Sequence, residues 1–270
     1  MARKNIYDIL NTTDIDLWRE YARIHELFYK TQYTDGFMNF TLHDYIDENF
    51  ERLNRRLIGR CISISDFDLS YGYNYTELLD HEDITVDYLV SFAEYVINFV
   101  WAVITCGDSY INQSQLDRFI ENIKGCMDDI GYMDVFKDDI YFFIEKSAAA
   151  ISVAEISEKA ISYSVLEYNH HKLKGDLVAK KNILKNFADD IEKDRKDLNS
   201  INKSLTSDLF QLLNTFIRHD DSQNQFISNL SENELEEAYD EIYQMWLLAK
   251  LELEHNKKNT YISDLIVNSR

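Results

Sequence analysis

The chain has 270 residues, a formal net charge of −20, 45% hydrophobic and 13% aromatic residues, three cysteines, seven glycines and no proline. That apolar content excludes a disordered chain, and the length suits one large or two modest domains. The acidity argues against broad phosphate binding, because the summed field repels a polyanion, so any nucleic-acid contact must be local.

Proline breaks helix interiors and punctuates loops, so its absence suits long helices joined by short polar turns. The codon usage of an AT-rich genome explains the same composition equally well. Cys61, Cys106 and Cys126 are isolated, with no Cys-x-x-Cys. They read as small buried hydrophobes in a reducing compartment, not as a zinc ribbon or a redox pair. The opening MARKNIYDILNTTD has no apolar run of signal-peptide length, so a cytoplasmic protein is expected.

Apolar spacing at i, i+3, i+4 and i+7 marks the helices. The first follows Thr13 as cap, with Asp16 in the capping-box position and a stripe of Leu17, Tyr21, Ile24 and Phe28. Thr41, with Asp44 three residues on, caps a second that is expected to continue to Leu57. Ser63 to Asp83 lacks periodicity and is expected to be a loop. Thr85 caps a strongly apolar third helix. Its segment Tyr88–Cys106 approaches the roughly 18–20 residues that span a bilayer, but Glu94 and Asn98 interrupt one face. A carboxylate at that depth costs at least about 2.5 kcal/mol, so a buried core helix and no membrane contact are expected.

Asn112 to Ile130 is another amphipathic helix, closed by Gly131. Ile140–Ile144 is the best place for a strand, ahead of a helix reaching about Tyr168. Gly175 and Asp176 open a long helix to Ile201, with Lys180 among the charges assigned to its outer face. Ser204 to Ile217 forms a shorter apolar helix. Ser231 with Glu234 is a capping box that starts a helix to His255, followed by a last one near Thr260–Val267. The expected fold class is therefore all-α, an antiparallel helical bundle. It comprises an N-terminal helical region (1–150) and a C-terminal helical bundle (151–270).

The glycines form neither a dinucleotide fingerprint, nor a phosphate loop, nor a nucleophile elbow. No cofactor and no metal site is expected. His170 and His171 are adjacent, and on a helix consecutive side chains do not share a face. Asp80-His81-Glu82-Asp83 reads as an acidic lead-in to a helix N-terminus.

One stretch carries chemistry. LLNTFIRHDDSQNQ sets Asn214, Arg218, His219, Asp220 and Asp221 within two turns. Arginine can hold a phosphate by paired hydrogen bonds, and histidine can move the proton of a ribose 2′-hydroxyl. Arg218 and His219 are the candidate catalytic pair, with Asn214 and Arg218 the candidate RNA contacts. The alternative is that Arg218 is a structural clamp, paired with Asp220, Asp221 or the helix at Glu234–Glu241.

The segments YNHHKLKGDLVAKKNIL, LFQLLNTFIRHDD and ELEEAYDEIYQMWLLAKLEL between Tyr168 and Leu251, with NIYDIL and Arg55–Cys61, carry a resemblance across most of the chain. It resembles bacterial helical proteins grouped with the abortive-infection protein AbiJ, within or near the HEPN superfamily. The resemblance implies a HEPN-like C-terminal bundle, a homodimer, and a role in phage defence or toxin–antitoxin systems, where many members are metal-independent endoribonucleases. Their motif is an arginine, a polar residue and a distal histidine. Arg218 and His219 match the first two positions, but Gln223, Asn224 and Gln225 stand where the histidine would be. An amide cannot act as a general acid or base near neutrality. The resemblance thus implies a degenerate site that acts on or binds RNA. The other reading is a non-catalytic acidic interaction protein, antitoxin-like or a scaffold, whose acidic face masks a basic partner. Residues 1–162 hold 14 Lys and Arg against 29 Asp and Glu.

Overall fold

The computed structural model describes residues 15–34, 38–106, 111–218 and 225–268. The structure is 73% helical and mostly α. It divides into two compact units, Met1–Phe143 and Ile144–Arg270, where the sequence placed a boundary at 150.

In the first unit α1 runs over Leu17–Tyr29 and β1 (Tyr33–Thr34) pairs antiparallel with β2 (Asn39–Phe40). The cap of α1 is Asp16, whose carboxylate accepts the Arg19 N–H at 3.1 Å; the cap expected at Thr13 lies outside the described residues. Thr41 and Asp44 form the expected capping box of α2 (Leu42–Glu48). The helix does not continue to Leu57. A 3-10 turn at Phe50–Arg52 and the single turn α3 (Arg55–Ile58) follow instead. Within the segment expected to be a loop lies α4 (Ile64–Tyr71). Ser63 caps it and Gly72 ends it in the left-handed region, which only glycine enters without steric cost.

The apolar helix α5 (Val86–Thr105) is capped by Thr85 and forms the centre of this core. It is long and apolar enough to cross a membrane, yet 72% of its apolar window is buried inside the protein. Helix α6 (Gln113–Asp129) packs beside it, followed by β3 (Tyr132–Lys137) and β4 (Ile140–Glu145). Asp138 and Asp139, both with positive φ, make the two-residue turn that joins β3 and β4 into a hairpin, so the fold is not purely helical. Either side of that turn, Phe136 and Tyr141 pack with ring centroids 4.6 Å apart and planes tilted by 43°.

The polar interruption of α5 explains how the hairpin docks. Pairs in an antiparallel ladder alternate between bonded and non-bonded, so every second residue of β4 turns its N–H and C=O away from β3. Asn98 accepts the Tyr141 N–H and donates to the Tyr141 carbonyl, both at 2.7 Å, and Glu94 accepts the Phe143 N–H at 2.8 Å. Four residues of helix rise about 6 Å and two residues of strand about 6.8 Å. The two spacings match, and α5 takes the place of a third strand.

In the second unit α7 (Ala148–Ile156) and α8 (Lys159–Glu167) replace the single helix expected there. A 3-10 turn at His171–Leu173 leads to α9 (Leu177–Glu192), which breaks before α10 (Arg195–Ile201). Helix α11 (Lys203–Leu212) runs into a π-helical turn at Leu213–Arg218, and the short α12 (Gln225–Ser228) precedes α13 (Glu232–Asn268). Here too the structure departs from expectation, since α13 is one helix of 37 residues without a break after His255. It packs against α7, α9, α10 and α11. Its Trp246 stacks on Phe187 at 4.2 Å and donates its indole N–H to the Phe187 carbonyl, while Tyr243 stacks on Tyr168 at 4.1 Å.

Candidate functional site at the end of α9

The π turn positions Arg218. It sends Phe216 and Ile217 into the core and leaves Asn214 and Arg218 at the rim. Arg218 extends to the C-terminal end of α9. There its guanidinium pairs with Glu192 at 2.7 Å and donates to the Ala188 carbonyl at 3.0 Å and to Asn214 Oδ1 at 3.3 Å. A cation is favoured at that end by the carbonyls and the helix dipole. Arg195 joins the cluster, pairing with the same Glu192 at 3.2 Å and lying 4.3 Å from the centre of the Phe210 ring.

Glu192 titrates below the ordinary carboxylate value. Its partial burial works the other way, but hydrogen bonds and charge from Arg218 and Arg195 outweigh it. Near neutrality the cluster therefore holds an ionised Glu192 between two arginines. The arginine side chain keeps 29% exposure.

The structure brings Arg218 and Asn214 together as the sequence placed them. His219, Asp220, Asp221, Gln223 and Asn224 lie outside the described residues. The clamp partner seen here is Glu192, on a helix that the sequence reading had not connected to Arg218. His170 and His171, the histidines that would have to substitute for the missing distal one, sit elsewhere. They do not lie on a regular helix: His170 caps the 3-10 turn, with Nδ1 accepting the Lys172 N–H at 3.2 Å, and the two rings lie 4.6 Å apart. That turn precedes the N-terminus of α9, whereas Arg218 binds the last turn. The 16 residues of α9, at about 1.5 Å each, put roughly 20 Å between them.

A second polar cluster lies at the N-terminal half of α9. Lys180, assigned by sequence to the outer face, is 6% exposed. Its ammonium pairs with Glu236 and Asp240 at 2.7 Å each and sits 5.3 Å from the centre of the Tyr168 ring. Tyr168 donates to Asp240 at 2.9 Å, and Gly175 N–H to Glu236 at 2.8 Å. Hydrogen bonding from the Gly175 backbone and from Lys180 holds Glu236 below the usual carboxylate value. The signal was present, since Lys180 stands three, four and seven residues before Ile183, Leu184 and Phe187 on the core stripe. At the other end Lys250 pairs with Asp190 at 2.9 Å. Both lysines tie α9 to α13.

Comparison of the chain with protein-family models, with curated proteins and with solved structures gives no match.

Proposed function

We propose that this chain is a non-catalytic acidic interaction protein, antitoxin-like or scaffolding in kind, whose partner is basic. The observation that carries the reading is the state of Arg218. Its guanidinium is engaged by Glu192, the Ala188 carbonyl and Asn214, so a phosphate would have to displace an ionised carboxylate. The net charge of −20, with 29 carboxylates against 14 cations in residues 1–162, suits a basic partner. Ile62, Leu69 and Tyr71, in and just before α4, are largely exposed apolar side chains among acidic neighbours and supply contact area for such a partner.

The test is Arg218→Ala, measured twice: thermal midpoint and affinity for a single-stranded RNA oligonucleotide. A structural clamp at a partly exposed site predicts a loss of about 1–3 kcal/mol of stability, with negligible RNA affinity before and after. Intact stability with a large loss of RNA affinity overturns it.

One observation favours a second reading. The π-helical turn lies directly under Arg218, and such turns recur at functional sites. In that reading the chain is an abortive-infection component of the AbiJ-like, HEPN-like kind, binding RNA through Arg218, His219 and Asn214 as a homodimer. Metal-independent cleavage abolished by both Arg218→Ala and His219→Ala would establish it.

A further inference from the structure

We infer that the outer edge of β3 takes an extended segment of a basic partner as an added strand. The inference rests on the interaction reading above and gives that reading a surface. In a hairpin closed by a two-residue turn, facing residues alternate between pairs that exchange backbone bonds and pairs that turn them outward. Asp138 and Asp139 make that turn, so Lys137 faces Ile140, Phe136 faces Tyr141 and Asp134 faces Phe143. Tyr141 and Phe143 present their backbone groups to Asn98 and Glu94, which marks both as members of outward pairs. The N–H and C=O of Phe136 and Asp134 therefore point away from β4, along the opposite edge of the hairpin. Among the described residues no backbone or side-chain group bonds to them.

Helix α6 covers a face of the hairpin and leaves this edge open. Its Lys124 pairs with Asp134 at 3.0 Å and lies 4.7 Å from the centre of the Tyr141 ring. Burial agrees. Tyr141 and Phe143 of β4 are buried, whereas β3 beyond Tyr132 is half-buried or exposed, Phe136 at 45%. Open edges are commonly blunted by proline, by a bulge or by several lysines. Proline is absent, the alternation at Tyr141 and Phe143 is unbroken, and β3 has a single lysine, at its end.

Backbone donors and acceptors repeated at every second residue are matched by another extended chain. Charge selects which one. Residues 128–139 hold five carboxylates and one lysine. The other cations at hand are already engaged, Lys124 with Asp134 and Arg56 with Asp138 at 3.3 Å. Asp129 before the strand and Asp139 after it are exposed and have no ion pair among the described residues. A segment of about six residues fits this edge, with Lys or Arg near each end and an apolar side chain over the Phe136 ring. Two β3 edges would instead bring the same carboxylates together on bodies of charge −20 each, which disfavours a second copy.

The probe is a set of labelled seven-residue peptides, alternating valine and threonine between terminal Lys-Arg pairs. Binding to the full chain is read by fluorescence anisotropy and by residue-resolved amide hydrogen exchange. In the free chain the Asp134 and Phe136 amides should exchange quickly and that of Val135, which faces β4, slowly. Bound peptide should slow Asp134 and Phe136 by about tenfold or more. Peptides methylated on every backbone nitrogen, or with glutamate in place of the basic residues, should not bind. Phe136→Pro deletes one outward N–H and no bond to β4, and should weaken binding about tenfold beyond Phe136→Ala. Should the proline variant fail to fold, the methylated peptides and the exchange pattern carry the test. Absence of binding by every member of the set overturns the inference. Binding that leaves the Asp134 and Phe136 amides unprotected overturns it too, while keeping a basic partner. Protection of those amides that grows with protein concentration, without peptide, would overturn it in favour of a second copy. The interaction reading itself is tested apart from this by Arg218→Ala, since RNA affinity through Arg218 would overturn that reading and leave the peptide result standing.

Discussion

Asn98 offers a sharp perturbation, because one side chain satisfies both backbone groups of Tyr141. It is 7% exposed, on a helix whose neighbouring side chains are almost all apolar. Asn98→Leu keeps the branched shape, with somewhat bulkier methyl groups, and deletes the bonds to the Tyr141 N–H and C=O and to the Glu94 carbonyl. The Glu94 carbonyl retains its place in the helix ladder. The two Tyr141 groups face a leucine instead, and each buried orphan costs about 1–3 kcal/mol. Burial of the new apolar side chain returns about 1.5 kcal/mol. The net loss should be about 2–4 kcal/mol, a large share of the 5–15 kcal/mol typical of a domain. Guanidinium denaturation of wild type and variant gives the magnitude, and hydrogen exchange gives the place. The Tyr141 amide should lose protection first and that of Phe143, still held by Glu94, to a lesser extent. A loss below about 1 kcal/mol with Tyr141 protection unchanged would refute the view that α5 serves as the third strand of the hairpin.

Two further outcomes are expected in the second unit. Lys180→Met should cost about 2–4 kcal/mol by thermal denaturation. The upper range for a broken buried pair is not reached, because Asp240 is 49% exposed and water can take over part of its solvation. Acid should destabilise the fold through Glu236. Its folded value lies below its unfolded one, so its contribution is complete above about pH 4.3 and is lost as pH falls through the lowered value. Glu236→Gln should flatten the fall of the melting midpoint below that pH. An unchanged acid profile would remove Glu236 from the account.

The helix starts were legible where a side chain does the capping. Thr41, Thr85, Asn112, Asp176 and Ser231 each accept a backbone N–H of the first turn, which is a local event that a sequence window contains. The ends were less legible in a chain without proline. Breaks at Glu48, Ile156 and Glu192 have no residue that forbids a helix, and tertiary packing decides them. The continuity of α13 is the converse case. A break was expected between His255 and Thr260, yet nothing in that stretch prevents the helix from running on. Helix α4 was missed because eight residues with two buried side chains, Ile64 and Phe67, present too short a stripe to detect. At the candidate site, Arg218 and Asn214 were legible as neighbours one turn apart. Glu192 and Ala188 were not, because the π turn, which has no sequence signature, decides where the guanidinium arrives.

The electrostatics around Arg218 separate the two functional readings by magnitude. A phosphate accepting a charged hydrogen bond from Arg218 gains about 1.5–3 kcal/mol. In the same position it meets the Glu192 carboxylate at roughly 4 Å. That repulsion amounts to about 1 kcal/mol in bulk water and about 4 kcal/mol at the effective dielectric of a protein surface. With Glu192 41% exposed, the true value lies between those limits and is of the same size as the gain. The pairing of Arg218 with Glu192 is lost as well, so the balance turns against binding while Glu192 is ionised. Because Glu192 titrates below the ordinary carboxylate value, it remains ionised throughout the neutral range. An Arg218 that binds phosphate at neutral pH therefore requires Glu192 to move away, and Glu192→Gln should then raise RNA affinity measurably. A Glu192→Gln variant that loses stability and still ignores RNA is the outcome expected of a clamp.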